Sequence, residues 1–372
     1  MCVIVDQEIE TVIIGAGQAG LATGYHLQQL GRPFVILDGN RCVGDNWRQQ
    51  WDSLVLYSPA KYDGLPGMPF PAEPWSYPSK NEVADFLATY ADRWRLPIRL
   101  GTRVLGVDQT PSGYLVTTDS GTIGCDNVVV ATGTFGRTPR VPDFASELDP
   151  SILQLHSSEY RRPDQLNDGL VLVVGASHSG TDVAYEVAQT HPTVLCGRDC
   201  GSIPFRPGSN VARVAFPFVV FAWRHVLTRR TPIGRKVMPQ VRFHGAPMLR
   251  VKRSDLDSRG VKRTEHRVVG VKGGLPMLAD GSTVEARSVV WCTGFRQAFE
   301  WIHLPIFRDD GWPDEMRGVV GSAPGLYFCG LAFQYAFSSM VLPGVGRDAA
   351  FVARHIVARG QSRREMSAHQ PA

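Results

Sequence analysis

The chain reads as an α/β protein built on two Rossmann-like dinucleotide-binding units, and three features of the sequence predict this. Residues 10–38 run as strand (TVII), glycine turn (GAGQAG, 15–20), helix (AGLATGYHLQQL, stopped by Gly31) and strand (FVILD). Residues 170–198 repeat the order with LVLVVG, the turn GASHSG (175–180), TDVAYEVAQ and TVLCGR. The residue closing each unit differs in charge: Asp38 lies 23 positions after Gly15, and Arg198 lies 23 positions after Gly175.

In a G-x-G-x-x-G turn the first glycine permits the bend and the second admits a pyrophosphate to the backbone. The third lets helix and strand pack closely, and the helix N-terminus presents free N–H groups to the phosphates. Gly15, Gly17 and Gly20, with Gln18 and Ala19 between the last two, fit this pattern in full. An acid at position 38 suits a free ribose 2′-hydroxyl, whereas an arginine at 198 suits a 2′-phosphate. The first unit is therefore expected to take FAD and the second NADPH, with a hydride crossing between them. In the second turn Gly175, His178, Ser179 and Gly180 keep the spacing, and Ser177 replaces the middle glycine. Its hydroxyl is expected to contact the pyrophosphate. The plain alternatives are a packing turn without ligand for the first unit and one exposed arginine in a basic region for the second.

The remaining elements follow in order. Six prolines between positions 59 and 78 mark an irregular loop whose Tyr, Phe and Trp give it something to bury. Ser79 opens a helix expected from Lys80 to Trp94, and strands are expected at TRVLGVDQ, GYLVTTD and DNVVVATG. Residues 138–168 read as a crossover with proline markers. After the second unit, 203–253 is basic and irregular. Short strands at RVVGVK, GSTVEARSVVWCTGF and GLYFCG precede a final helix at 346–359.

With 372 residues the chain has room for two domains, and 43% apolar against 20% charged residues is ordinary for a globular protein. No apolar run approaches 18 residues; AFPFVVFAW (215–223) is half that length. No leader peptide is expected from MCVIVDQEIE, and the location expected is the cytoplasm. Seven irregularly spaced cysteines without C-x-x-C read as reduced thiols, with no zinc site and no dithiol redox centre. Net charge is only +4, yet residues 201–270 hold 15 Lys and Arg against 3 Asp and Glu. That imbalance suits an anionic cofactor, substrate or membrane surface, or a solvated basic face. Nucleic acid is not expected, because aromatic residues are not interleaved with the basic ones.

The motifs GAGQAG, GDNW (44–47), VVVATG (128–133), HSSEY (156–160), GASHSG, WCTGF (291–295) and PGLYFCGL (324–331) occur in the order of a known family. On these the chain resembles the class B flavin-dependent monooxygenases, especially short bacterial relatives of the plant auxin-forming enzymes. The resemblance implies a three-layer, glutathione-reductase-like architecture in which an NADPH domain (151–284) interrupts an FAD domain (1–150 and 285–372). It also implies that Gly44, Asn46 and Trp47 lie on the flavin side. By the same likeness Thr132 and Gly133 sit at a strand end near the flavin, and Gly330 and Leu331 lie against its rings. Thr293 and Gly294 resemble the second domain's strand-end motif. By composition alone Trp47 reads as a core aromatic and Gly330 as a turn. Two departures stand out: Pro150 and Ile152 replace the fingerprint's Phe and Gly before His156, and Tyr57 occupies the place of a polar residue beside the flavin. Tyr160, where a Trp-Pro pair marks the Baeyer–Villiger branch, argues against that branch, and His156 reads as a linker contact.

The expected reaction is insertion of one oxygen atom of O2 into a small organic substrate, through a C4a-(hydro)peroxide of the reduced flavin. Asn46, Tyr57, Ser58 and Gln334 are the residues expected nearest the chemistry, with Tyr335 beside them; each has a plain alternative as loop packing. No catalytic triad, paired carboxylates or metal cluster is read. Two other functions stand beside this one: an NADPH oxidase or partner reductase without oxygen insertion, and a nucleotide-binding regulatory or transport-associated flavoprotein. The segment 203–253 is expected to form a cap, with peripheral membrane contact through 211–227; a buried helix kinked at its proline is the alternative.

Overall fold

The computed structural model describes residues 6–134 and 138–368, with the side chains of 363–368 excepted. The reading of the first five residues as lacking a leader falls outside them. The chain opens with β1 (Gln7–Ile14), α1 (Gln18–Gln29) and β2 (Phe34–Leu37). The last four residues of β1 and all of β2 are buried, as strands covered on both faces must be. A short helix α2 (Asp45–Arg48) follows, then α3 (Lys80–Arg93). A capping box starts α3, with Ser79 and Glu82 each satisfying the other's backbone N–H. β3 (Ile98–Arg99), β4 (Val104–Gln109), β5 (Tyr114–Thr118) and β6 (Gly121–Val130) complete the first half. β5 alternates buried and half-buried residues, the mark of a strand with one covered face.

The expected crossover at 138–168 contains two strands, β7 (Thr138–Pro139) and β8 (Leu153–His156). Neither has an alternating or long apolar run, so neither was legible. Then come β9 (Val171–Val174), α4 (His178–Val187) and β10 (Thr193–Cys196). The basic segment folds as α5 (Asn210–Phe221), α6 (Pro232–Phe243) and α7 (Arg253–Ser258). β11 (Lys262–Thr264), β12 (Val268–Lys272), β13 (Leu275–Leu278), β14 (Ser288–Trp291) and β15 (Phe295–Arg296) lead back, followed by β16 (Glu315–Met316), β17 (Val319–Val320) and β18 (Leu326–Phe328). The last helix, α8 (Leu342–Ala368), is longer at both ends than expected. Pro343 lies in its first turn, where proline is well placed.

These strands form two principal sheets. One runs β16-β17-β18-β6-β1-β2-β3, with β4 and β5 attached through β6. Its centre, β18-β6-β1-β2, is parallel. The other runs β11-β10-β9-β14-β8 and is parallel throughout. The first draws its strands from both ends of the chain, the second from the middle. Two connecting segments cross side by side, where β7 pairs antiparallel with β15.

The basic segment is tied to both sheets. Arg229 and Arg242 converge on the buried Glu315 of β16, at 2.5 and 3.6 Å. Arg250 reaches the buried Asp182 of α4 at 3.3 Å. Removing one partner from such a buried set costs about 3–5 kcal/mol, because a charge is left without compensation.

Candidate functional site

The first glycine turn sits at the C-terminal ends of three adjacent parallel strands. β1 runs into Gly15, β6 into Ala131–Gly133, and β18 into Cys329–Gly330. Gly15 has φ +109°, and a Cβ there would lie 2.7 Å from the Ala131 carbonyl oxygen. A Cβ on Gly20 would overlap the Gly15 carbonyl oxygen, whereas one on Gly17 would meet no atom within 4 Å. The turn is thus packed shut at its first and third glycines and open at its second, as a pyrophosphate cradle requires. Gly133 is also open, and a Cβ on Gly330 would press on Ala19 at 2.7 Å. Gln18 donates from Nε2 to the Met340 carbonyl at 3.0 Å, bringing the loop before α8 onto the same turn.

Asp38 aims at this turn: Oδ2 accepts from the Ala16 N–H at 2.7 Å and Oδ1 from the Asn40 N–H at 2.8 Å. Each oxygen keeps a further lone pair for a ribose hydroxyl. Gly44 opens α2 and packs on α3, where a Cβ would lie 2.5 Å from the Ala84 carbonyl oxygen. Asn46 is exposed on α2. Trp47 packs against two of the core clusters.

The second turn repeats the geometry between β9 and β14. A Cβ on Gly175 would overlap the Cys292 carbonyl, and one on Gly180 the Gly175 carbonyl. Ser177 caps α4 in extended conformation, and Gly245 of the basic segment approaches its Cβ. His178 has a buried Nδ1 without a hydrogen-bond partner, and burial lowers its pKa to about 4, so the ring is neutral at pH 7. Ser179 is half-buried in the first turn of α4. Thr293 and Gly294 lie on the linker: the Thr293 hydroxyl donates to the Arg140 carbonyl, and His156 Nε2 meets the Gly294 carbonyl at 2.9 Å. His156 thereby fastens a linker, as expected.

At the far end of β10, Arg198 is exposed. Its neighbour Asp199 is an acid that would repel a phosphate, but Arg253 forms an ion pair with it and Arg263 stands 4.0 Å away. The strand end therefore carries a net positive charge. Arg253 and Arg263 were missed in the sequence, since they lie 55 and 65 positions beyond Arg198 and carry no motif.

Tyr57 connects the two halves. Its loop is pinned to the segment before α3: Leu56 donates its N–H to the Pro78 carbonyl at 2.7 Å, and Ala60 to that of Ser76 at 2.9 Å. From there the Tyr57 hydroxyl donates to Asp182 Oδ2 on α4 at 3.0 Å, and its ring meets His178 edge-on at 5.1 Å. Asp182 receives Arg250 on the same oxygen, while Oδ1 is buried without a partner. Burial raises the pKa of both Asp182 and Tyr57.

Ser58 donates to Asp63 Oδ1 at 2.6 Å. Asp63 is fully buried, its Oδ2 has no partner, and burial pushes its pKa to about 8. Because the folded value lies above that of an exposed carboxyl, this proton stabilises the fold fully below about pH 4 and progressively less up to about pH 8. Asp63→Asn keeps an acceptor for Ser58 and removes the titration. Its melting temperature should rise relative to the parent's between about pH 5 and pH 8; a constant difference across that range would mean that Asp63 is already ionised in the fold.

Gln334 lies beneath the surface, fully buried, with Oε1 accepting from the Leu331 N–H at 3.3 Å. Its position makes it a support for the Gly330–Leu331 turn. Tyr335 is ringed by Arg230, Arg317 and Arg347 at 4.4–5.7 Å. Thr134 was not singled out in the sequence, yet it pins the same turn: it is buried and bonds to the Gly330 carbonyl and the Ala332 N–H.

Residues 12–199 match the family model described as pyridine nucleotide-disulphide oxidoreductase. A protein of Geobacillus kaustophilus, described as an uncharacterized oxidoreductase CzcO-like, is 34% identical over 350 residues, covering 94% of this chain and 98% of the relative. The chain belongs to the pyridine nucleotide-disulphide oxidoreductase family.

Within that family it sides with the flavin monooxygenases. The probable indole-3-pyruvate monooxygenase YUCCA3 of Arabidopsis thaliana is 28% identical over 386 residues, covering 94% of this chain and 86% of the relative. A flavin-containing monooxygenase from Stenotrophomonas maltophilia superposes with a TM-score of 0.74 at 26% identity, over 95% of this chain and 99% of that one. The protein is thus an oxidoreductase of the class B flavin-monooxygenase kind, dependent on FAD and NADPH. The residues present fit both groups: each turn is closed where strand and helix must pack, and Gly17 leaves space for a pyrophosphate. Despite the family's name, this member has no C-x-x-C motif. Cys292, beside the second turn, is held protonated by burial, its pKa raised to about 12.

Proposed function

We propose that the protein is an NADPH-dependent FAD monooxygenase that places one oxygen atom of O2 on a small organic substrate. The observation that carries this reading is the Tyr57–Asp182 hydrogen bond, which brings a loop of the first sheet onto the helix that starts at the second glycine turn. Bound at the two turns, the cofactors supply hydride transfer from NADPH to flavin and activation of O2 by the reduced flavin.

The chain's own residues bind, align and exclude water. Residues 1–150 and the chain from β15 onward form the FAD domain, with Gly15, Gly17 and Gly20 around the pyrophosphate and Asp38 on the ribose. The NADPH domain begins at 151 and runs past the expected end at 284, because β14 (Ser288–Trp291) is a central strand of the second sheet. Gly175, Ser177 and Gly180 stand at the second pyrophosphate and Arg198 on the 2′-phosphate, with Arg253 shielding Asp199 beside it. Gly44, Asn46, Trp47, Thr132, Gly133, Gly330 and Leu331 line the flavin side. Tyr57 and Ser58 face the reacting atoms, and neutral His178 offers its unpartnered Nδ1 to the nicotinamide side. Gln334 and Thr134 are positioning residues that hold the 330–332 turn. Hydride transfer depends on alignment more than on a side-chain acid or base, and no triad is required of this site. Disulfide reduction is disfavoured by the missing dithiol and by the protonated thiol of Cys292.

The test is spectroscopic. Adding NADPH without oxygen to the FAD-loaded protein should bleach the flavin's visible absorbance. Admitting labelled O2 with substrate should then restore it and place one labelled oxygen in the product. Absence of bleaching removes the reading; peroxide released in equal amount to NADPH, with every substrate tried, makes the protein an oxidase instead.

A further inference from the structure

Between Cys200 and Ser254 the chain carries 11 Lys and Arg and not one Asp or Glu. Seven of these cations lie in or beside α5 and α6: Arg213, Arg224, Arg229, Arg230, Arg235, Lys236 and Arg242. Arg229 and Arg242 are consumed by Glu315, and Arg224 donates to the Pro343 carbonyl. Arg213, Arg230, Arg235 and Lys236 are exposed and have no acidic partner among the described residues.

α5 is two-faced, and both faces are apolar. Ala212, Phe216 and Val220 point inward and are buried. Phe216 meets Tyr62 at 5.4 Å and Trp223 at 5.8 Å, and Trp223 meets Phe337 at 5.0 Å. That face is fully satisfied by the protein, and it fixes how the helix sits. The other face carries Val211, Val214, Phe218 and Phe221, spaced three, four and three apart along one side, and they are 64%, 70%, 72% and 59% exposed. On α6, Ile233 is 57% exposed as well. Four large apolar side chains in a row on one helix are unusual on a surface that meets only water.

The flanking charge selects the occupant. A protein partner would have to bring its own acids to a rim with none, whereas an anionic bilayer offers negative charge everywhere and an apolar layer just below it. The helix is 12 residues, about 18 Å long. Among the described residues no helix is long and apolar enough to cross a membrane, so contact would be along the surface. We propose that α5 lies in the plane of an anionic phospholipid surface, with Val211, Val214, Phe218 and Phe221 inserted among the acyl chains and the four cations that lack an acidic partner at the headgroups. This surface is independent of the oxygenation reading, since binding needs no turnover.

The experiment uses the full chain loaded with FAD and floats it with vesicles. It should rise with vesicles of phosphatidylcholine and phosphatidylglycerol, stay behind with phosphatidylcholine alone, and lose binding as salt is raised. Val214→Glu with Phe218→Glu, both on the exposed face, should weaken binding about tenfold or more while flavin content and melting temperature stay at the parent's values. Arg213→Gln with Lys236→Gln should weaken it less and flatten the salt dependence. Equal flotation with both lipids, or none, overturns the proposal. So does a concentration-dependent dimer in sedimentation velocity that the Val214→Glu, Phe218→Glu variant abolishes, because the stripe would then belong to a second copy.

Discussion

Gly17→Val should leave the protein folded and without FAD. A side chain at this position meets no protein atom within 4 Å, and the backbone there has φ −79°, which any residue adopts. The cost to the apo fold is confined to replacing glycine at a helix N-cap, about 1 kcal/mol. Bound pyrophosphate, by contrast, has to occupy the space into which the valine projects. Gly20→Ala is the opposite case: its Cβ would overlap the Gly15 carbonyl oxygen, so α1 must leave β1 whether or not FAD is present. Flavin retained per chain after purification and the melting temperature of the apo protein separate the two. The expected pattern is flavin lost and melting preserved for Gly17→Val, and both lost for Gly20→Ala. A yellow Gly17→Val protein would place the pyrophosphate somewhere other than this turn.

Arg198→Ala should raise KM for NADPH by roughly 10- to 150-fold, the worth of a charge-assisted hydrogen bond of about 1.5–3 kcal/mol, and should leave KM for NADH nearly unchanged. The selectivity comes from the 2′-phosphate alone, because NADH presents only a hydroxyl there. Asp199 sharpens the effect. With Arg253 and Arg263 engaged by that carboxylate, Arg198 is the exposed cation of the cluster that Asp199 does not hold, and its loss leaves the acid nearer to balance with its partners. Steady-state kinetics with both nucleotides gives the answer. Equal losses for NADPH and NADH would mean that the phosphate is held elsewhere and that Arg198 serves the fold.

Local pattern made much of the molecule legible. The apolar run and glycine spacing around Gly15 and Gly175 announced β1, α1, β2, β9, α4 and β10, because strand burial, a left-handed turn and a helix start are decided within a few residues of one another. Ser79 announced α3 for the same reason, and the structure adds Glu82 as its capping-box partner. The strands β7 and β8 were not legible: β7 has two residues, and β8 pairs with β14, more than 130 positions away. Asp38 and Arg198 stood out because a fixed spacing ties each to its turn. Thr134, Asp182, Arg250, Arg253 and Arg263 did not, since nothing near them in the sequence marks their partners.

The sequence by itself determined two nucleotide turns and the opposite charges that follow them, since both depend on contacts among neighbours along the chain. Only the tertiary structure decided that Tyr57 of one half reaches Asp182 of the other, that Gln334 supports a turn from within, and that one face of α5 is left bare. These depend on how sheets and linkers bring distant segments together, and a side chain's chemistry carries no record of which distant residue will satisfy it.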